Sequence, residues 1–152
     1  MTDTGSLNAA GVVVITPQVP PTDDYEAASL LISADRPVAG MSFADSDGSC
    51  SAPFLPTNLM KRRYIVPTSV DYVAFASKQA GTIQIFDETQ ALVATLTLAR
   101  TGAATNAPYK AYTTTGEVGY TYVSTVPMAA WYQPNNNTNA GNDDETIMYG
   151  TD

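Results

Sequence analysis

The stretch Thr82–Ile83–Gln84–Ile85–Phe86–Asp87, followed after a short polar break by Leu92–Val93–Ala94–Thr95–Leu96–Thr97–Leu98, decides the fold class. Ile83 and Ile85 fall on one face of the first run and Gln84 on the other. In the second run Leu92, Leu96 and Leu98 point one way and the threonines the other. Successive side chains of a strand leave opposite faces of the pleat, so a period of two marks a strand with one buried side. The polar positions are Thr rather than Lys or Glu, and a β-branched, uncharged side chain fits a pleated surface. The break Asp87–Glu88–Thr89–Gln90 predicts a hairpin with a four-residue loop.

The same texture extends in both directions. Strands are expected over residues 29–34, 38–43, 63–66, 71–77, 91–99, 109–114, 118–124, 128–132 and 146–149, besides 82–87. Tyr120 and Tyr122 share a face, and Trp131, inside a strand, is expected in the core. Lys78–Gln79–Ala80–Gly81 reads as a tight reversal. Residues 25–32 have helix-forming composition with Asp24 as a possible cap, but Pro37 follows closely and a strand is preferred at their end. Short strands with no helices between them predict an all-β fold: an antiparallel β-sandwich or barrel, jelly-roll or Ig-like, as a single domain. Pro17, Pro20 and Pro21 form an extended spacer, so residues 1–24 read as an N-terminal arm and linker, and residues 25–152 as the β domain. At 152 residues one domain is the expected number.

Composition excludes several function classes. Seven basic residues against fifteen acidic ones give a net charge of −8. Nucleic acid and anionic membrane surfaces both need a basic face, so neither is an expected partner. There is no histidine, which removes the commonest general base and metal ligand. One cysteine, Cys50, allows neither an internal disulfide nor a thiolate zinc site. Only 14% of residues are charged while 44% are hydrophobic, which is the balance of a folded domain rather than a disordered chain. Residues 1–21 lack the basic, then apolar, start of a secretory signal, and this predicts cytoplasmic synthesis.

No motif points to catalysis. Asp45–Ser46–Asp47–Gly48–Ser49 is nearest to a calcium loop, but placing Gly48 at the turn position puts Phe43 and Phe54 where oxygen ligands belong. It reads as an Asp/Gly turn. Asn142–Asp143–Asp144–Glu145 reads as a solvated acidic loop, or as a calcium site if another loop lends oxygens. Among the carboxylates Asp71, Asp87, Glu88 and Glu117, no spacing singles out a pair for glycoside hydrolysis. There is no Ser-x-x-Lys, Gly-x-Ser-x-Gly or phosphate-binding glycine loop. The expectation is a non-enzymatic protein without cofactor or metal.

Two features carry an interaction instead. Val12, Val13, Val14 and Ile15 make a short apolar run in the arm, suited to adding a strand to a neighbour's open sheet edge. Lys61, Arg62 and Arg63 gather three of the seven basic residues, either as a docking patch for an acidic partner or as a solvated turn.

The run from Leu31 to Gly40, with Tyr64–Ile65–Val66–Pro67 and Gly81–Thr82–Ile83–Gln84–Ile85, resembles the texture of adhesive β domains of the IgGFc-binding type, which implies a β fold. The whole layout resembles accessory virion proteins of tailed phages, above all capsid decoration (cement) proteins. It is acidic, poor in His and Cys, rich in Thr and Ala, with an extended arm. That likeness implies a place on the virion surface and two partners: further copies of the chain, as a homotrimer, and the major capsid protein. Receptor- or glycan-binding by a head or tail fibre, with Tyr120, Tyr122 and Trp131 lining a sugar site, is the alternative, and an extracellular filament subunit is another.

Overall fold

A computed structural model describes residues 32–43, 51–100, 109–135 and 146–152. Within them lie β1 (Met41–Phe43), β2 (Ser51–Pro53), β3 (Lys61–Ile65), β4 (Val70–Ser77), β5 (Gly81–Phe86), β6 (Leu92–Leu98), β7 (Tyr109–Thr113), β8 (Thr121–Pro134) and β9 (Thr146–Ile147). One turn of 3-10 helix, Thr57–Leu59, precedes β3, and the described residues hold no α-helix. The fold is all-β and antiparallel, nearly closed into a barrel.

β1 and β2 form a separate ribbon. The rest is organised by β8, whose 14 residues belong to two layers. Its first part, up to Ser124, lies between β3 and β5, with Tyr64 opposite Tyr122 on one side and Ile85 opposite Tyr122 on the other. Its second part, from Ala129, lies between β4 and β9, with Phe75 opposite Ala130 and Ile147 opposite Trp131. One layer is therefore β3–β8–β5–β6 and the other β9–β8–β4–β7.

β8 changes partners across residues 125–127, and side chains satisfy the backbone there. The Ser124 hydroxyl accepts from the Val126 N–H at 3.2 Å, and Ser77 donates to the Pro127 carbonyl at 2.8 Å. The Thr125 Oγ1 accepts from the Thr82 N–H at 3.0 Å. Pro127 lacks an N–H, so it sits where a ladder would otherwise demand one. The sequence suggested two strands, 118–124 and 128–132, on account of this interruption. The structure has one bent strand.

Two short contacts bring the layers together at their far edges. Ala99 and Lys110 exchange backbone hydrogen bonds of 3.0 and 2.9 Å, joining β6 to β7. Beyond β9 the chain crosses to β3, where Arg63 and Thr151 exchange bonds of 3.0 and 2.8 Å. Gly150 makes that crossing possible. A Cβ there would lie 2.6 Å from the Arg63 carbonyl oxygen and 2.7 Å from the Tyr64 ring.

The core fills the space between layers: Val73 and Phe75 of β4, Ile83 and Ile85 of β5, Tyr64, Tyr122, Met128 and Met148 are all buried. The period-two reading of β5 and β6 agrees with this, except at Leu92. A register shift opposite Ile85 and Phe86 gives β6 one extra residue, and Leu92 and Val93 are both exposed. Two further expectations are corrected. Residues 32–34 form no strand and are exposed. Trp131 is half-buried on the outer side of its layer, in register with Ala74, whereas Ala130 and Tyr132 take the core side.

Candidate functional site

The outer face of the β3–β8–β5–β6 layer is a surface four strands wide among the described residues. Inward residues fix which positions point out. Because Ile83, Ile85, Tyr64 and Tyr122 point into the core, their neighbours in sequence take the opposite face, where Thr121 is nonetheless buried. One row across four strands reads Thr95, Gln84, Val123, Arg63. A second reads Thr97 and Thr82, with Thr125 bonded beside them. A third runs from Phe86 through Thr121 to Ile65. Thr82, Gln84, Thr95, Thr97, Thr125, Arg63 and Ile65 are exposed.

Arg63 is the one charged residue in these three rows, and Arg62, also exposed, reaches the face at the Thr125 carbonyl. Threonine has one restricted χ1 and no long stem to immobilise, so covering it loses little side-chain entropy. Its hydroxyl both donates and accepts, so a partner backbone can satisfy it in either sense. These properties suit contact with another protein and make this the candidate docking face.

The three predicted basic residues separate. Lys61 forms an ion pair of 2.6 Å with Asp152. Arg62 donates from Nη1 to the Thr125 carbonyl at 2.8 Å, holding β3 to the bend of β8. Arg63 alone of the three has a guanidinium without a partner among the described residues, and it lies on the docking face. Tyr149, 89% exposed, leads into the segment that crosses to β3, where Ile65 is 56% exposed. Val12, Val13, Val14 and Ile15 lie outside the described residues, as do Cys50, Asp45, Asp47, Asp143, Asp144 and Glu145.

Two of the four carboxylates weighed for catalysis, Asp87 and Glu117, hold turns. Asp87 Oδ1 accepts from the Thr89 hydroxyl at 2.7 Å and from the Thr89 and Ala91 N–H groups at 2.9 Å each. The Thr89 hydroxyl, then the Ala91 N–H, hold its pKa below the usual carboxylate value. Together with Gln90 in the left-handed region at φ 67°, they close the β5–β6 hairpin as the sequence suggested. Glu117 accepts from the Ser69 hydroxyl at 2.5 Å in a turn before β8. No cluster of three His, Cys, Asp or Glu residues occurs among the described residues. No helix among them is long and apolar enough to cross a membrane.

The sugar site sketched from sequence does not assemble. Tyr122 is fully buried, edge-on to Phe75 at 5.2 Å, and burial raises its pKa well above the tyrosine value of 10.0. Trp131 belongs to the other layer. The docking face itself was not singled out from sequence. Its signal was present in the polar positions of the two opening runs, but the rows joining Gln84 to Val123 and Arg63 are not local information. The chain matches no family model, no curated protein and no solved structure.

Proposed function

We propose that this chain is a non-enzymatic virion structural protein, a capsid decoration protein that docks on the outer shell and reinforces it. The single observation that carries the reading is the outer face of the β3–β8–β5–β6 layer: four strands wide, Thr-rich, and with Arg63 the only charged residue in its rows. Such a face can lie against a protein lattice with little charge to bury, and an acidic group of the partner opposite Arg63 would offset the cost of covering that one. The major capsid protein is the partner, further copies of the chain lie beside it, and a homotrimer is the assembly that the layout suggests. Many copies on one shell convert modest individual contacts into lasting attachment.

The test uses purified phage particles that contain the chain. Quantitative mass spectrometry should count copies on the order of hundreds per particle, as a multivalent coat requires. Thr95→Glu combined with Gln84→Glu should strip the protein from particles while leaving its circular dichroism unchanged. A few dozen copies or fewer would instead favour a fibre, and undiminished occupancy of the double variant would remove the docking face from the account.

A further inference from the structure

We propose that the outer edge of β6 accepts residues 11–16 of a second copy as an added strand. This rests on the reading of the chain as a self-associating structural protein, and its test needs no capsid.

β6 pairs with β5 along its length, from Gly81 opposite Leu98 to Phe86 opposite Leu92. On its other side the described residues supply only the exchange between Ala99 and Lys110, just past its end. Upstream of that exchange β6 has no second ladder among the described residues, and its seven residues, Leu-Val-Ala-Thr-Leu-Thr-Leu, hold no charge and no proline. Folded proteins protect such edges with Lys, Pro or bulges, because an unpaired ladder recruits other strands. Here the extra residue near Val93 blunts only the start. The other layer boundary, β3, is bridged likewise, at Arg63 by Thr151.

The inner side of this edge is also incomplete. Ile83 and Ile85 of the neighbouring β5 are fully buried, while Ala94 and Leu96 of β6 pack on the core but stay partly exposed. An added strand would supply the missing cover.

The chain contains a matching strand. Residues 11–16 read Gly-Val-Val-Val-Ile-Thr, uncharged and β-branched at their centre. Alternate members, Val12 with Val14 or Val13 with Ile15, would reach over Ala94 and Leu96, and the others would extend the threonine face. Pro17 has no N–H to donate and ends the pairing there. A spacer with Pro17, Pro20 and Pro21 has a composition that favours an extended form of about 3.1 Å per residue. Ile32 is the first described residue, so 31 residues are available to span the distance between copies. Main-chain hydrogen bonds give such strand addition its affinity.

The experiment compares the full chain, a variant lacking residues 1–16, and full-length Val14→Pro, which keeps the length but removes one ladder donor. Light scattering should give an oligomer for the full chain and monomers for both variants, with β-type circular dichroism retained. A synthetic peptide of residues 9–18 should bind the deleted variant and slow amide exchange in residues 92–98, while the same peptide with Val14→Pro should bind at least about tenfold more weakly. A monomeric full chain whose melting temperature drops on deletion would place the arm on its own barrel and overturn the proposal. So would an oligomer that survives both changes, or peptide protection at a different edge. Failure to bind capsids would leave these readouts intact, so the two readings fail separately.

Discussion

Tyr64 and Tyr122 are fully buried, and each hydroxyl donates to a backbone carbonyl far from its own strand neighbours. Tyr64 reaches the Met128 carbonyl at the bend of β8 and accepts from the Lys61 N–H, while Tyr122 reaches the Thr115 carbonyl at 2.7 Å. Burial raises both pKa values above 10.0. The folded state thus holds these protons more tightly than the unfolded chain does. The associated stability is complete below 10.0 and is lost as pH rises toward the folded values. Melting temperature should therefore fall across the alkaline range, with tyrosinate absorbance appearing in step with unfolding for these two rings. Tyr122→Phe should lower stability by about 1 kcal/mol at neutral pH, since the Thr115 carbonyl loses its donor. It should also flatten the alkaline fall; an unchanged fall would assign the pH dependence elsewhere.

At the scale of elements, the C-terminal segment works as a clasp between layers. It leaves β9, gives the Met148 N–H to the Ala130 carbonyl at 2.9 Å, and pairs Thr151 with Arg63. Gly150→Ala places a methyl group against backbone and the Tyr64 ring, and should destabilise by about 1–3 kcal/mol, the usual range for overpacking. Denaturant unfolding measures the loss, and amide exchange at Arg63 should quicken more than at Ile83. The β5–β6 hairpin was legible in the sequence because both its strands and its Asp87 turn are local features. β8 was not, because Pro127 looks like a terminator until Ser77, Ser124 and Thr125 are seen to satisfy the bend from other parts of the chain. Trp131 was misjudged for a related reason. Large aromatic rings are mostly buried, and only the register with Ala74 tells which side of its layer it occupies. The docking face stands between these cases: its threonines alternate visibly, but their neighbours come from strands about forty to sixty residues away.

For the whole molecule, charge is distributed unevenly. All seven Lys and Arg residues but only six of the fifteen Asp and Glu lie among the described residues, so that part carries a net +1 and the entire acidic excess falls elsewhere. Its only ion pair among the described residues is Lys61 with Asp152, and an exposed pair of this kind contributes little. Melting temperature should accordingly change little as salt shortens the screening length from about 10 Å at 0.1 M to about 3 Å at 1 M. A steep rise with salt would mean that acidic segments crowd one another in the folded state. The shared strand β8 has a further meaning for how the molecule comes into being. Lys61 finds its partner only at Met128, and Val70 only at Pro134. On the ribosome, what is made before Thr121 can form the β1–β2 ribbon, the β5–β6 hairpin and the β4–β7 pairing, but not the ladders to β8 that unite the layers. The newborn polypeptide cannot complete either layer, and keeps its uncharged β6 in view of chaperones and proteases, until β8 has emerged.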